Sequence, residues 1–161
     1  MAISKKIILV GHFGVGKTSL VKRFVEEKFS EQYITTIGVK IDKKVVMVNE
    51  VEVKLLIWDI AGEEAQRKIP QSYRLGAHGV LYVFDLNRPS TYQHLSEEIQ
   101  ELQSVLPDVP VRILGNKIDL IDDALLAQLK KEITLPFDAT SAKTGEHVEE
   151  AFVSLAQLTL A

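Results

Sequence analysis

The sequence predicts one α/β domain: a doubly wound, mostly parallel sheet of six strands, with one antiparallel edge strand and helices on both faces. Three observations lead there. Short continuous apolar runs that stop at glycine or a polar loop alternate with amphipathic stretches of helical period, as strands do when crossover helices bury both their faces. Two β-rich runs near the start are separated by two residues only, which adds one antiparallel pair to an otherwise parallel sheet. The chain has 161 residues, 46% of them hydrophobic and 25% charged, the size and balance of a single compact domain spanning 1–161.

The elements follow in order. Ile7-Ile8-Leu9-Val10 is a buried strand ending in Gly11. From Lys17, the apolar residues Leu20, Val21, Phe24 and Val25 recur at helical spacing, and the helix runs out near Glu27-Lys28. Residues 29–38 read as an exposed loop. Val39 to Val48 and Val51 to Ile57 form a hairpin around Asn49-Glu50. Gly79 to Phe84 and Val111 to Leu114 are strands on either side of a helix over Ser90 to Leu106. A helix over Asp122 to Ile133, a short strand over Pro136 to Ala139 and a last helix from about Glu146 to Leu158 complete the pattern.

Composition excludes several classes. Without a cysteine the chain forms no disulfide, thiolate metal site, cysteine nucleophile or cysteine-borne lipid anchor. A net charge of -3 supplies no basic footprint for nucleic acid or an acidic membrane. Met1-Ala2 lacks the glycine that myristoylation needs, and no apolar stretch reaches the ~18 residues of a membrane span. The expectation is a soluble, cytoplasmic monomer without an intrinsic membrane anchor. The four histidines, His12, His78, His94 and His147, show no metal-ligand spacing.

The chemistry begins directly after the first strand. Gly11-His12-Phe13-Gly14-Val15-Gly16-Lys17-Thr18 fits G-x-x-x-x-G-K-[ST] and opens into a helix. Its glycines let successive N–H groups turn inward around phosphates, and the helix N-terminus adds its positive dipole end. Lys17 is expected at the β and γ phosphates, and the Thr18 hydroxyl at a magnesium ion. The candidate nucleotide contacts here are Gly14, Val15, Gly16, Lys17, Thr18 and Ser19. A chance match of this pattern is expected less than about once in a hundred chains of this length, given glycine near 7%. The motif alone does not choose between ATP and GTP.

Three weaker signals follow in order. Leu55 to Asp59 ends a strand with a carboxylate, where a phosphate-site metal takes a ligand, and Gly62 can bring its N–H close to a terminal phosphate. Alone, Asp-x-x-Gly is a common turn. Asn116-Lys117-Ile118-Asp119 follows a strand, and its last carboxylate can accept from the N1–H and 2-amino group of guanine, a donor pair adenine lacks. Alone, it reads equally as a turn with a solvated lysine. Thr140-Ser141-Ala142-Lys143 follows the next strand, where a backbone N–H could meet the guanine O6 at the same sheet edge.

In this order and spacing the four motifs resemble the Ras superfamily of small GTPases, and the nearest branch is Rab. The likeness extends to Tyr33 through Val39, Trp58 through Glu64 and Gly76 through Val80, so it covers essentially the whole chain. It implies the P-loop nucleoside-triphosphatase fold of that family and a molecular switch that binds GTP or GDP with Mg2+ and hydrolyses GTP slowly. It implies that Thr36 joins the magnesium shell and touches the γ-phosphate, with Thr18 and Asp59 as the other metal-site residues. Phe29 would pack on the guanine opposite the Lys117 stem, or would simply close the helix end. Asn116 would meet N7, Asp119 N1 and N2, and the Ala142 N–H O6, with Ser141 and Lys143 supporting that loop. Lys17, Thr36, Gly62 and Glu63 become the candidate catalytic residues. Residues 30–41 and 60–74 become the surfaces read by effectors, an exchange factor and an activating protein, with no nucleic-acid partner.

Departures from the family concern rate and partners. Glu63 stands where a water-positioning glutamine is usual, and Phe13 where a small residue is usual beside the γ-phosphate. The aromatic cluster of Rab proteins is reduced to Ile41, Trp58 and Tyr73, so Trp58 is either an interaction anchor or a packed core residue. The chain ends at Ala161 without a prenylatable tail, which a trimmed chain or a bacterial Rab-like source would explain. The competing function is a GTP-binding scaffold with little hydrolysis. A small-molecule kinase would need an acceptor pocket and an arginine-bearing lid, and no segment supplies them.

Overall fold

The computed structural model describes residues 3–26, 39–60 and 71–160. Within them the chain order is β1 (Ile3–Gly11), α1 (Lys17–Glu26), β2 (Val39–Val48), β3 (Val51–Ile60), α2 (Gln71–Arg74), β4 (Gly79–Asp85), α3 (Leu95–Val105), β5 (Val111–Asn116), α4 (Asp123–Glu132), β6 (Asp138–Ala139) and α5 (Val148–Thr159). The six strands form one sheet in the order β2-β3-β1-β4-β5-β6. Every neighbouring pair is parallel except β2 with β3. The expected architecture is therefore the observed one.

Burial explains which residues form which element. On one face Ile7 and Leu9 of β1, Leu55 and Ile57 of β3, and Leu81 and Val83 of β4 pack against Leu20, Val21 and Phe24 of α1 and Phe152 and Leu155 of α5. On the other, Ile8, Val80, Tyr82, Phe84 and Ile113 meet Leu95, Ile99 and Leu102 of α3 and Leu129 of α4. Alternate residues of one strand thus serve opposite cores, which is why the strands read as unbroken apolar runs. The rings of Phe24 and Phe152 stack at 4.1 Å between centroids and an interplanar angle of 1°, fastening α1 to α5.

Several boundaries differ from expectation: β1 begins at Ile3 rather than Ile7, and β5 runs on to Asn116 rather than ending at Leu114. The edge hairpin is longer: β3 runs to Ile60, so Asp59 lies inside the strand, paired with Lys40 across β2. Its turn has positive φ at both Asn49 and Glu50, the twist a two-residue hairpin needs. The helix expected from Ser90 starts only at Leu95, because Pro89–Thr91 forms a 3-10 turn. There the Thr91 hydroxyl accepts from the Asp85 N–H at 2.9 Å and lies 2.7 Å from the Arg88 carbonyl, a local competition that hydroxyl residues win over helix. The strand expected over Pro136 to Ala139 contracts to Asp138 and Ala139.

Candidate functional site

The site is built at the C-terminal ends of the parallel strands, where β1, β3, β4, β5 and β6 each deliver a loop or a terminal side chain. After β1 the chain turns through Gly14 and Gly16 and enters α1 at Lys17. Gly16 has a φ of +99°, and a Cβ there would stand 2.4 Å from the Asn116 amide nitrogen. Position 16 therefore excludes a side chain on both conformational and spatial grounds. Lys17 is buried, with its Nζ 3.5 Å from the Gly11 carbonyl.

One residue on, the Thr18 hydroxyl donates to Asp59 Oδ2 at 2.5 Å. That contact joins the start of α1 to the end of β3, and Asp59 is 1% exposed. The pair offers hard oxygen donors only, the ligand class that magnesium takes. The residues present thus fit that ion chemically.

The base-reading motifs are tied to the cradle and to each other. The Asn116 amide donates to the Val15 carbonyl at 3.0 Å, while its oxygen accepts from the Thr140 hydroxyl at 3.1 Å and the Ala142 N–H at 3.3 Å. One buried side chain therefore braces the loops after β1, β5 and β6. Lys117 adopts a left-handed backbone conformation, φ 69°, which costs an L-residue roughly 1–2 kcal/mol. Its Nζ donates to the Gly14 carbonyl at 2.9 Å and pairs with Asp85 Oδ2 at 2.9 Å. The Ser141 hydroxyl donates to Asp119 Oδ1 at 2.7 Å and accepts from the Thr144 N–H at 3.1 Å, which steers an otherwise exposed carboxylate. Lys143 is exposed beside them.

Gly14, Val15, Gly16, Lys17, Thr18, Ser19, Asp59, Asn116, Lys117, Asp119, Ser141, Ala142 and Lys143 are thus gathered along one edge of the sheet. Phe29, Thr36, Gly62 and Glu63 lie outside the described residues. Phe13 is 44% exposed, with its carbonyl accepting from Arg88 Nη2 at 2.5 Å. Trp58 is half-buried, its ring 6.2 Å from Tyr73 and the Lys6 ammonium 3.7 Å above it, whereas Ile41 is 48% exposed.

Sequence reasoning missed Asp85 and Arg88. The buried Asp85 carboxylate faces both Lys117 and the Arg88 guanidinium, the latter at 3.7 Å, so two cations that hold cradle carbonyls share one anion. The available signal was an acidic residue ending the β4 apolar run. His12 was also passed over: its Nε2 lies 2.7 Å from Glu98 Oε1, and Tyr82 donates to the same carboxylate, linking the cradle to α3. Among the described residues no cluster of histidine and carboxylate side chains could hold a metal by itself.

The sequence profile of the Ras family matches residues 6–161. The chain is also 38% identical over 159 residues to the Ras-related protein Rab-1 of Theileria annulata, covering 94% of this chain and 72% of that protein. This protein belongs to the Ras family. As a Rab-like member of it, this GTPase is a guanine-nucleotide-dependent switch that binds GTP or GDP with Mg2+ and hydrolyses GTP to GDP and phosphate. Ras-family membership also means that regulators and effectors are its partners. No helix among the described residues of the GTPase is long and apolar enough to cross a membrane.

Proposed function

We propose that the sheet edge described above is the nucleotide site of this switch and that hydrolysis there is slow without help. The observation that carries this reading is the Asn116 brace, which spans the expected phosphate loop and both expected base-reading loops. In it the inward N–H groups of Gly14 to Ser19 hold the phosphates, and Lys17 adds a buried positive charge between the β and γ groups. Thr18, Asp59 and Thr36 would hold magnesium, which would supply positive charge to offset that of the phosphates. Asn116 retains a second amide N–H for N7, and Asp119, oriented by Ser141, accepts from N1 and N2. The Ala142 N–H meets O6, Phe29 and the Lys117 stem enclose the ring, and Lys143 supports the loop.

Glu63 and Gly62 stand beside the attacking water. An ionised carboxylate accepts hydrogen bonds but donates none, so Glu63 cannot stabilise the phosphoryl oxygens as a glutamine amide does. Phe13 adds bulk where an activator's arginine would enter. Unassisted turnover is then no faster than the order of 10⁻³ to 10⁻² per second, and arginine-finger acceleration of about 10³ to 10⁵ is blunted. Residues 30–41 and 60–74 change with nucleotide state and are read by effectors, an exchange factor and an activating protein, the domain itself acting as a cytoplasmic monomer.

Competition binding tests the site. GTP and GDP should displace a fluorescent guanine nucleotide while ATP does not, because a site built for two donors rejects a base lacking them. Asp119→Asn should shift preference towards xanthine nucleotides, and unaltered base preference would place the reader elsewhere. Single-turnover hydrolysis by wild type, Glu63→Gln and Phe13→Gly tests the rate. Turnover at about ten per second or more would make Glu63 an effective general base, and none at all would favour a GTP-binding scaffold.

A further inference from the structure

The guanidinium of Arg23 leaves α1 to donate to two successive carbonyls of the loop after β6. Nε donates to the Ala142 oxygen at 2.8 Å and Nη2 to the Lys143 oxygen at 2.5 Å. The stem of Arg23 lies along Gly145, where a Cβ would stand 3.4 Å from its Cδ and where φ is +87°. Gly145 in turn donates to the Ser141 carbonyl at 2.8 Å, closing the loop beneath the arginine. We propose that Arg23 is a positioning residue for guanine recognition, which holds the Ala142 N–H at the depth of O6 and so sets how long a guanine nucleotide stays bound. This rests on the site reading above, in which that N–H meets O6.

Two donors of one rigid fork fix the orientation of two carbonyls, and with it the two peptide planes that follow the Ala142 N–H. On its other side that N–H is restrained by the Asn116 oxygen at only 3.3 Å, a long contact that leaves it available to a second acceptor. The Arg23 fork therefore supplies the stiffer of the two restraints. The placement on α1 matters too. The same helix begins with Lys17 and Thr18 in the phosphate cradle and reaches the base loop at Arg23, about 9 Å further along its axis. A single rigid rod thus sets the spacing between the phosphate half and the base half of the site. A lysine at 23 would carry the charge, but as a point donor it cannot grip both carbonyls in one plane.

The test compares nucleotide release from wild type, Arg23→Lys and Arg23→Gln in the Mg2+-bound full chain. GDP is set against 6-thioguanosine diphosphate, which keeps N1–H and the 2-amino group but replaces O6 by a weakly accepting sulfur, and inosine diphosphate, which lacks the 2-amino group, is the control. Both variants should release GDP faster, Arg23→Gln by about 10- to 100-fold as expected for charge-assisted hydrogen bonds. Release of the thio analogue, already faster from wild type, should change by less than about threefold, since the contact that Arg23 positions is weak there. Equal acceleration of both nucleotides would overturn the proposal, because Arg23 would then brace the domain generally, and so would no acceleration of GDP. The control separates the two levels. If wild type releases inosine diphosphate and the thio analogue as slowly as GDP, the base assignment itself fails; if it discriminates while the Arg23 variants behave as wild type, only the role of Arg23 fails.

Discussion

His78 shows how much a single side chain can reveal about its surroundings. Its ring Nδ1 accepts from the Lys6 N–H at 2.9 Å while the His78 backbone N–H donates to the Lys6 carbonyl at 2.8 Å, so the ring serves as an extra acceptor at the side of β1. Acceptance requires a neutral Nδ1. Burial, followed by the nearby charges of Lys5 and Lys6, holds the His78 imidazole below its ordinary value of 6.5. A folded-state value below the unfolded one means that the unfolded chain binds the proton first as pH falls. The contribution is therefore present above pH 6.5 and is lost as pH drops through the lower folded-state value. His78→Asn keeps an acceptor and removes the titration. Denaturation midpoints measured from pH ~7.5 down to pH ~5 should fall more for wild type than for the variant, across the range in which histidine titrates. A variant that loses as much as wild type would show that the ring nitrogen plays no part.

Among the elements, α1 and α5 matter most, because they hold the base loop and the cradle against the same side of the sheet. The stacked Phe24 and Phe152 are 3% and 1% exposed, and neither can leave without opening a void. Phe152→Ala should cost about 3–5 kcal/mol, the usual range for a buried aromatic truncated to alanine. Urea unfolding should show this as a lower midpoint with the slope preserved. These two helices were legible in the sequence because Leu20, Val21 and Phe24, and Ala151, Phe152 and Leu155, repeat with one face's period. The start of α3 was not. Ser90 and Thr91 look like the entry to a helix, yet the Thr91 hydroxyl bonds back to the end of β4, a tertiary choice that periodicity does not encode.

At the scale of the whole molecule, nucleotide and fold are linked through Lys17. Its ammonium is buried beside the Gly11 carbonyl at the mouth of the cradle, outside both apolar cores. Lys17→Ala should therefore fold yet lose its response to GTP. At about 100 Kd of ligand the wild type gains about 2.7 kcal/mol by mass action, or roughly 5–10 °C in Tm for a domain of this size, and the variant should gain almost nothing. An equal rise in both would remove Lys17 from the site. The motifs made most of the gathered site residues legible, since phosphate and base chemistry demand particular residue types at fixed spacing. Arg88 and Arg23 were not legible, because they act on backbone carbonyls of distant loops, and Asp85 showed only as an acidic strand end because its partners, Lys117 and Arg88, are brought to it by the fold.

The place of β1 in the sheet has a consequence for assembly in time. It is the first strand of the chain and a central one, pairing Ile3 with Val53 on one edge and Ile7 with Gly79 on the other. The phosphate loop that follows it is complete in sequence by Thr18, but its supports arrive much later: β4 brings Asp85, β5 brings Asn116, and the loop after β5 brings Lys117. Such non-local pairings close long loops before they are rewarded, which slows folding and leaves little that is stable by halves. During synthesis, an emerging chain would carry its phosphate motif for most of its length without being able to use it. The first guanine nucleotide that it retains would therefore mark the completion of the fold, and nucleotide capture could serve as a clock for how quickly the last strands find their places.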